Sequence, residues 1–269
     1  MLARLSLLLV AAVALSGCPR RPVDFGVDGA PRSAEELLAR VAWAEQQVFS
    51  IKGEARLAID SPQGKGAVGL FVAVMHPALI HLEQLDFFGR PQSVLVTDGE
   101  RFGLYDAQAG RYLRGPATSV NLARVLPVVM PPAELAGVLL GRAPRITADA
   151  REFRFDDALG QFVVTITRGR VKQTLHVQPP SYRVTHSRAE NLDAYELTFA
   201  GLSAFGGATL PRVTTLTVRP AKTEVELTWR DIDVNQAPDL SLFELEAPEG
   251  VPVIEVDPRG VILGASEAP

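Results

Sequence analysis

A single cysteine in 269 residues excludes a disulfide framework and a thiolate metal site, since each needs at least a pair. Histidine is nearly as scarce. His76, His81, His176 and His186 are the only four, and none stands in a metal-ligand spacing such as H-x-x-x-H or H-E-x-x-H. Scattered along candidate strands, they are expected at the surface. There is no G-x-S-x-G elbow, no Walker loop and no pair of carboxylates in an apolar run. Asp156-Asp157 and Asp231-x-Asp233 fall at strand ends and read as solvated turns. No catalytic constellation is visible, so the chain reads as a non-enzyme that needs no cofactor. Excess positive charge is missing too: 27 Lys and Arg against 31 Asp and Glu give a net charge of −4 and a pI of about 5.7. Without a long basic run, the footprint of a nucleic-acid binder is absent.

What is present begins at the N-terminus. In MLARLSLLLVAAVALSGC, Arg4 supplies a charged n-region, and Leu5 to Ala14 form an apolar stretch too short to cross a bilayer. The stretch reads as an export signal. Leu15-Ser16-Gly17-Cys18 resembles a bacterial lipobox, in which cleavage leaves the cysteine first and acylated. Cys18 is therefore the expected lipidation site, and several acyl chains at about 0.8 kcal/mol per methylene would make the anchor effectively permanent. Pro19 stands where an Asp would favour the inner membrane, so an outer-membrane anchor, with the body on the periplasmic face, is expected. Residues 1–17 are the signal peptide, and 18–32 the acylated cysteine and a tether rich in Pro, Gly and charge. About 250 residues remain after cleavage, room for one large β domain or two small ones.

The body starts at Ser33, which forms an S-x-x-E capping box with Glu36; Leu37, Val41, Ala44 and Val48 follow as one helical stripe. Trp43 falls off that stripe, either to face solvent or, as is commoner for a tryptophan, to pack at a sheet rim. From Ile51 to Tyr112 strand follows strand, with SPQG, DG and QAG as turns. Gly64-Lys65-Gly66-Ala67-Val68-Gly69 matches G-x-G-x-x-G, but no helix follows it, so dinucleotide binding is excluded. The hairpin ALIHLEQLDFFGRPQSVLVT carries Phe87 and Phe88 at its tip. Leaving them in water forfeits roughly 1.5–3 kcal/mol each, so either the loop folds back onto the body or the tip dips into a membrane. Ser119 to Leu126 and Pro132 to Gly141 read as two short apolar helices, either a plug or a lid over a cavity. Strands resume after Pro144, many alternating cleanly, as in Val225-Leu227-Trp229. Roughly a dozen strands in one run point to a barrel or a strongly curved sheet. The tail closes an end of the fold before a disordered finish at GASEAP.

Lipobox, tether, capped helix, meander, apolar-tipped hairpin, Pro-started helix and second β run together resemble LolB-type outer-membrane lipoprotein receptors and, more broadly, the LolA/LolB superfamily. The resemblance covers roughly residues 33 to 234. It rests on ALIHLEQLDFFGRPQSVLV, where Phe88 precedes the hairpin glycine and Phe87 replaces a proline, and on MPPAELAGVLLGRAP. It implies a mainly β (α+β) fold: an unclosed antiparallel half-barrel over residues 33–250, with an N-terminal helix, a short helical lid and a C-terminal tail at 251–269. It further implies a cavity for lipid or lipoprotein acyl chains, delivered by a LolA-like periplasmic carrier, and a membrane-inserting loop at Phe87 and Phe88. Strand alternation nominates Leu70, Val72, Ile80, Leu82, Val94 and Val96 for the cavity, with Leu126, Val129, Leu135 and Leu139 from the lid. The other function class compatible with this architecture is a lipid-anchored interaction or sensing module that binds a protein or peptide.

Overall fold

Ser33 starts the first helix, α1 (Ala34–Gln46), by accepting the Glu36 N–H at 3.1 Å. The reciprocal bond of the box is displaced by one residue, since Glu36 accepts from the Arg32 N–H at 2.8 Å. Leu37, Val41 and Ala44 are buried along one face, and Val48 beyond its end is buried too. The computed structural model describes residues 22–266 except 127, 192–194, 237, 238 and 245. The signal stretch 1–17, Cys18 and the first residues of the tether therefore lie outside the described residues.

The chain then forms an antiparallel meander: β1 (Ser50–Ser61), β2 (Gly64–Met75), β3 (Leu79–Leu85), β4 (Pro91–Thr97), β5 (Arg101–Asp106) and β6 (Arg111–Pro116). Two short helices follow, α2 (Ser119–Leu122) and α3 (Pro132–Leu139). A second meander runs through β7 (Ala150–Asp156), β8 (Gln161–Arg168), β9 (Val171–Gln178), β10 (Arg183–Glu190), β11 (Tyr195–Ala200), β14 (Val213–Val218) and β15 (Thr223–Val234), with β12 (Ser203–Phe205) and β13 (Ala208–Leu210) as a separate hairpin. The two meanders fuse where β1 pairs with β15. Gly53 sits at that seam, so near the Asp231 carbonyl that a Cβ would overlap it. The G-x-G-x-x-G match lies along β2, with no helix after it.

With β16 (Val253–Val256) and β17 (Ile262–Ser266) the result is one sheet of 15 strands in the order β17-β16-β6-β5-β4-β3-β2-β1-β15-β14-β11-β10-β9-β8-β7, antiparallel throughout except where β16 meets β6. It does not close, since β7 and β17 remain edges. Mainly β, with helices on the concave side, the chain is an open half-barrel. The expected disordered finish is instead ordered as far as Ser266: β16 (Val253–Val256) pairs in parallel with β6, and β17 (Ile262–Ser266) pairs with β16. The sheet thus runs past residue 250 into the stretch read as a tail. Between β15 and β16 the chain crosses the convex side, where a 3-10 turn (Leu240–Phe243) buries Phe243 against Ala73, Val94 and Val96. Trp43 does not pack at a rim; it is 66% exposed, because the stripe that α1 buries leaves it on the opposite side.

Candidate functional site

α3 lies across the concave face over β2 and β3. Pro132 at its first position suits the start of a helix, and Gly141, at φ +72°, lets the chain turn away after its end. Leu135, Val138 and Leu139 point from it into the half-barrel, joined by Leu126, Val128 and Met130 from the preceding loop. Opposite them stand Leu57, Leu70 and Leu82 from the first meander, and Leu216, Val225 and Leu227 from the second. Among the described residues, Thr214 is the one lining residue with a polar side chain. The cavity between lid and sheet measures about 50 Å3. That is well below the roughly 150 Å3 of an apolar cavity that admits a benzene ring, so the space is closed around its own side chains.

The nominated cavity residues divide. Leu70, Leu82, Leu126, Leu135 and Leu139 line the cavity. Val72 and Ile80 belong to the same buried core without reaching the lining. Val94 and Val96 are corrections: they pair with Glu83 and His81 and face the convex side, beneath Phe243. The inward residue of β4 is Leu95, opposite Leu82. Both faces of this strand are covered, so its Val-Leu-Val run gives no alternation from which to read a face. Val129 is also corrected, being 74% exposed while its neighbours Val128 and Met130 turn inward.

Phe87 and Phe88 do not fold back. They stand 97% and 77% exposed and pack edge to face on each other with centroids 5.6 Å apart, with the Arg90 guanidinium 5.3 Å from the Phe88 ring. Asp86 braces the tip by accepting the N–H groups of Phe88 at 2.8 Å and Arg90 at 2.9 Å, and the Arg90 side chain at 2.8 Å. These bonds, the Arg90 N–H foremost, hold its carboxyl below the ordinary carboxylate range.

Sequence reasoning did not single out Arg183. It is 1% exposed and donates to Ala44 O at 3.1 Å, at the end of α1, and to Leu140 O at 3.2 Å and Gly141 O at 2.7 Å, at the end of the lid helix. One guanidinium thereby satisfies the unpaired carbonyls of two helix ends. Burial pulls its pKa down to about 10, so it stays charged at neutral pH. Arg142, its pKa lowered by burial, similarly donates to Val48 O at 2.6 Å. The lid is pinned at its C-terminal end. The cue was Arg183 at the head of a polar-looking strand, a pattern that ordinarily signals solvent.

His81 departs from the surface expectation. It is buried beneath the convex 3-10 turn, where Nδ1–H donates to Leu242 O at 2.7 Å. His176 and His186 meet edge to face at 5.1 Å, and burial followed by His186 lowers the pKa of His176. Among the described residues no group of three or more His, Cys, Asp or Glu is placed to hold a metal, and no helix is long and apolar enough to cross a membrane.

No protein-family model matches the chain, and no curated protein matches its sequence. Solved structures do match in shape. A domain named for outer membrane lipoprotein sorting, from Vibrio parahaemolyticus, aligns over 77% of this chain and 94% of its own at 10% identity, with a TM-score of 0.50. A DUF1329 family protein from Desulfovibrio piger aligns over 78% and 95% at 10% identity, with a TM-score of 0.52. The chain shares their fold. A LolA superfamily protein from Nitrosomonas europaea aligns over 80% and 99% at 11% identity, with a TM-score of 0.48. At these identities the shared property is the fold alone.

Proposed function

We propose that this chain is a lipid-binding lipoprotein, acylated at Cys18 and anchored in the outer membrane, that takes the acyl chains of a lipid or lipoprotein between sheet and lid and helps receive or insert lipoproteins there. The observation that carries the reading is the almost wholly apolar cavity beneath a helix pinned at one end. The lipoprotein-sorting designation of a neighbour with the same fold supports it. Transfer is physical rather than covalent, and no catalytic residue or cofactor enters it. Acyl chains move from one apolar phase to another, and release stays feasible while cavity and membrane differ by only a few kcal/mol. Six lid side chains now fill the space, so a ligand enters by replacing them. The exposed Phe87–Phe88 tip supports a membrane contact close to the point of delivery.

The deciding experiment is native mass spectrometry of the Cys18→Ala protein from a Gram-negative periplasm. A bound mass matching phospholipid or an acylated polypeptide is expected. A protein that stays without ligand after incubation with lipoprotein and carrier contradicts the reading. That outcome favours a lipid-anchored module for a protein or peptide partner, to which the small volume of the closed cavity also lends itself.

A further inference from the structure

Beside the lid helix lies a groove of about 480 Å3 in which Glu134, Arg145, Arg168 and Tyr195 stand among apolar neighbours such as Ile146 and Val171. The two spaces share a wall. Glu134 and Leu135 are successive residues of α3; the first borders the groove and the second the cavity. On the sheet side Tyr195 pairs with Val218 at the end of β11, and two residues on Leu197 pairs with Leu216, which lines the cavity. A molecule with its tail among the cavity leucines therefore has its polar end within reach of the groove.

The charges there are of both signs, and that narrows the ligand. Arg145 is held by the buried Glu45 at 2.8 Å, which fixes its guanidinium in place. Arg168 is exposed, as is Glu134 in the first turn of α3. Burial, and then the Glu134 charge, push the Tyr195 phenol up to about 12, and its side chain is hydrogen-bonded with Ser187. A purely anionic headgroup would satisfy the arginines and meet repulsion from Glu134. A neutral sugar would use none of the charges. A phosphodiester bearing a primary ammonium uses them all, because guanidinium forks match phosphate oxygens and a carboxylate matches an ammonium donor.

We propose that the groove binds the phosphoethanolamine headgroup of a diacyl phospholipid, with Arg145 and Arg168 on the phosphate and Glu134 on the ammonium. This rests on the reading of the cavity as an acyl-chain site. The test offers the full chain carrying Cys18→Ala to vesicles holding equal amounts of phosphatidylethanolamine, phosphatidylglycerol, phosphatidylcholine and diacylglycerol with identical chains. The protein is recovered and its bound lipid measured by mass spectrometry. Phosphatidylethanolamine is expected to be enriched about tenfold over the other phospholipids, as one charge-assisted hydrogen bond in a half-open site allows. Glu134→Gln should bring its ratio to phosphatidylglycerol close to one, and Arg168→Gln should lower all three phospholipids relative to diacylglycerol. Both positions are exposed, and unchanged thermal melting confirms that the variants fold. Uptake in the input ratio, or a preference untouched by Glu134→Gln, overturns the headgroup assignment and leaves the acyl cavity standing. Failure to take up any of the four lipids, diacylglycerol included, overturns both.

Discussion

Phe87 and Phe88 bury little against the body, so changing them is expected to leave stability nearly untouched. Replacing both with glutamate should shift the melting free energy by no more than about 0.5 kcal/mol, as expected of surface positions. The same change should sharply weaken vesicle association of the Cys18→Ala protein, measured by co-sedimentation; a lowered melting temperature would mean that the tip is core. Asp86 adds a pH dependence of known sign. Its folded pKa lies below the unfolded value of about 3.9, so the stability it lends the tip is complete above that value and is lost as pH falls through the folded one. The amide resonances of Phe88 and Arg90 should therefore hold still from pH 6 to about 4 and move only below it; a midpoint near 5 would refute the brace. Arg183 is the opposite kind of residue. Arg183→Met strands the Ala44, Leu140 and Gly141 carbonyls, and should cost on the order of 3 kcal/mol in urea denaturation. The phenylalanines were legible in sequence because large apolar residues at a hairpin tip break a pattern. Arg183 was not, because a buried guanidinium serving helix ends 139 and 42 residues away leaves no local mark.

At the scale of elements, the capped helix, the strands of the first meander and the Pro-started lid were readable because each carries its own periodicity and punctuation. β4 was readable as a strand but not in its orientation. Its second covered face is supplied by Leu240–Phe243, about 145 residues later, a partner that nothing in Val94-Leu95-Val96 announces. The same distance hid the second half of the cavity wall, although Val225 and Leu227 do alternate as inward residues should. The convex turn gives this scale its prediction. Phe243→Ala should destabilise the protein by about 3–5 kcal/mol through the space it leaves over Ala73, Val94 and Val96. Lipid uptake per folded molecule should be unaltered, since these residues lie on the opposite face of the sheet from the cavity. Folded Phe243→Ala protein that takes up less lipid would tie the two faces together.

For the molecule as a whole, one continuous sheet supports the small lid that closes its hollow, and the energetics of opening follow from that arrangement. Leu126, Val128, Met130, Leu135, Val138 and Leu139 are all buried beneath or within the lid. Exposing such side chains to water costs roughly 1.5–3 kcal/mol each, so exposing all six approaches or exceeds the 5–15 kcal/mol that holds a whole domain folded. The lid therefore does not open into water to any useful extent. Under the proposed function it would open only where an apolar phase takes the place of the core it leaves, at a membrane or against a carrier that presents acyl chains. The Arg183 bonds to Leu140 and Gly141 hold the C-terminal end of α3, so such an opening would pivot about Gly141 and free the Met130 end. Hydrogen exchange measured by mass spectrometry reads this directly. In buffer, peptides covering residues 128–140 should be protected to within about tenfold of the central strands β1 and β2. With phospholipid vesicles present their exchange should accelerate at least tenfold, while β1 and β2 stay protected and residues 142–148 remain unchanged. Fast exchange of the lid in buffer alone would show that opening is cheap and remove the need for a membrane. Protection unchanged by vesicles would mean that the lid is a permanent plug of the core.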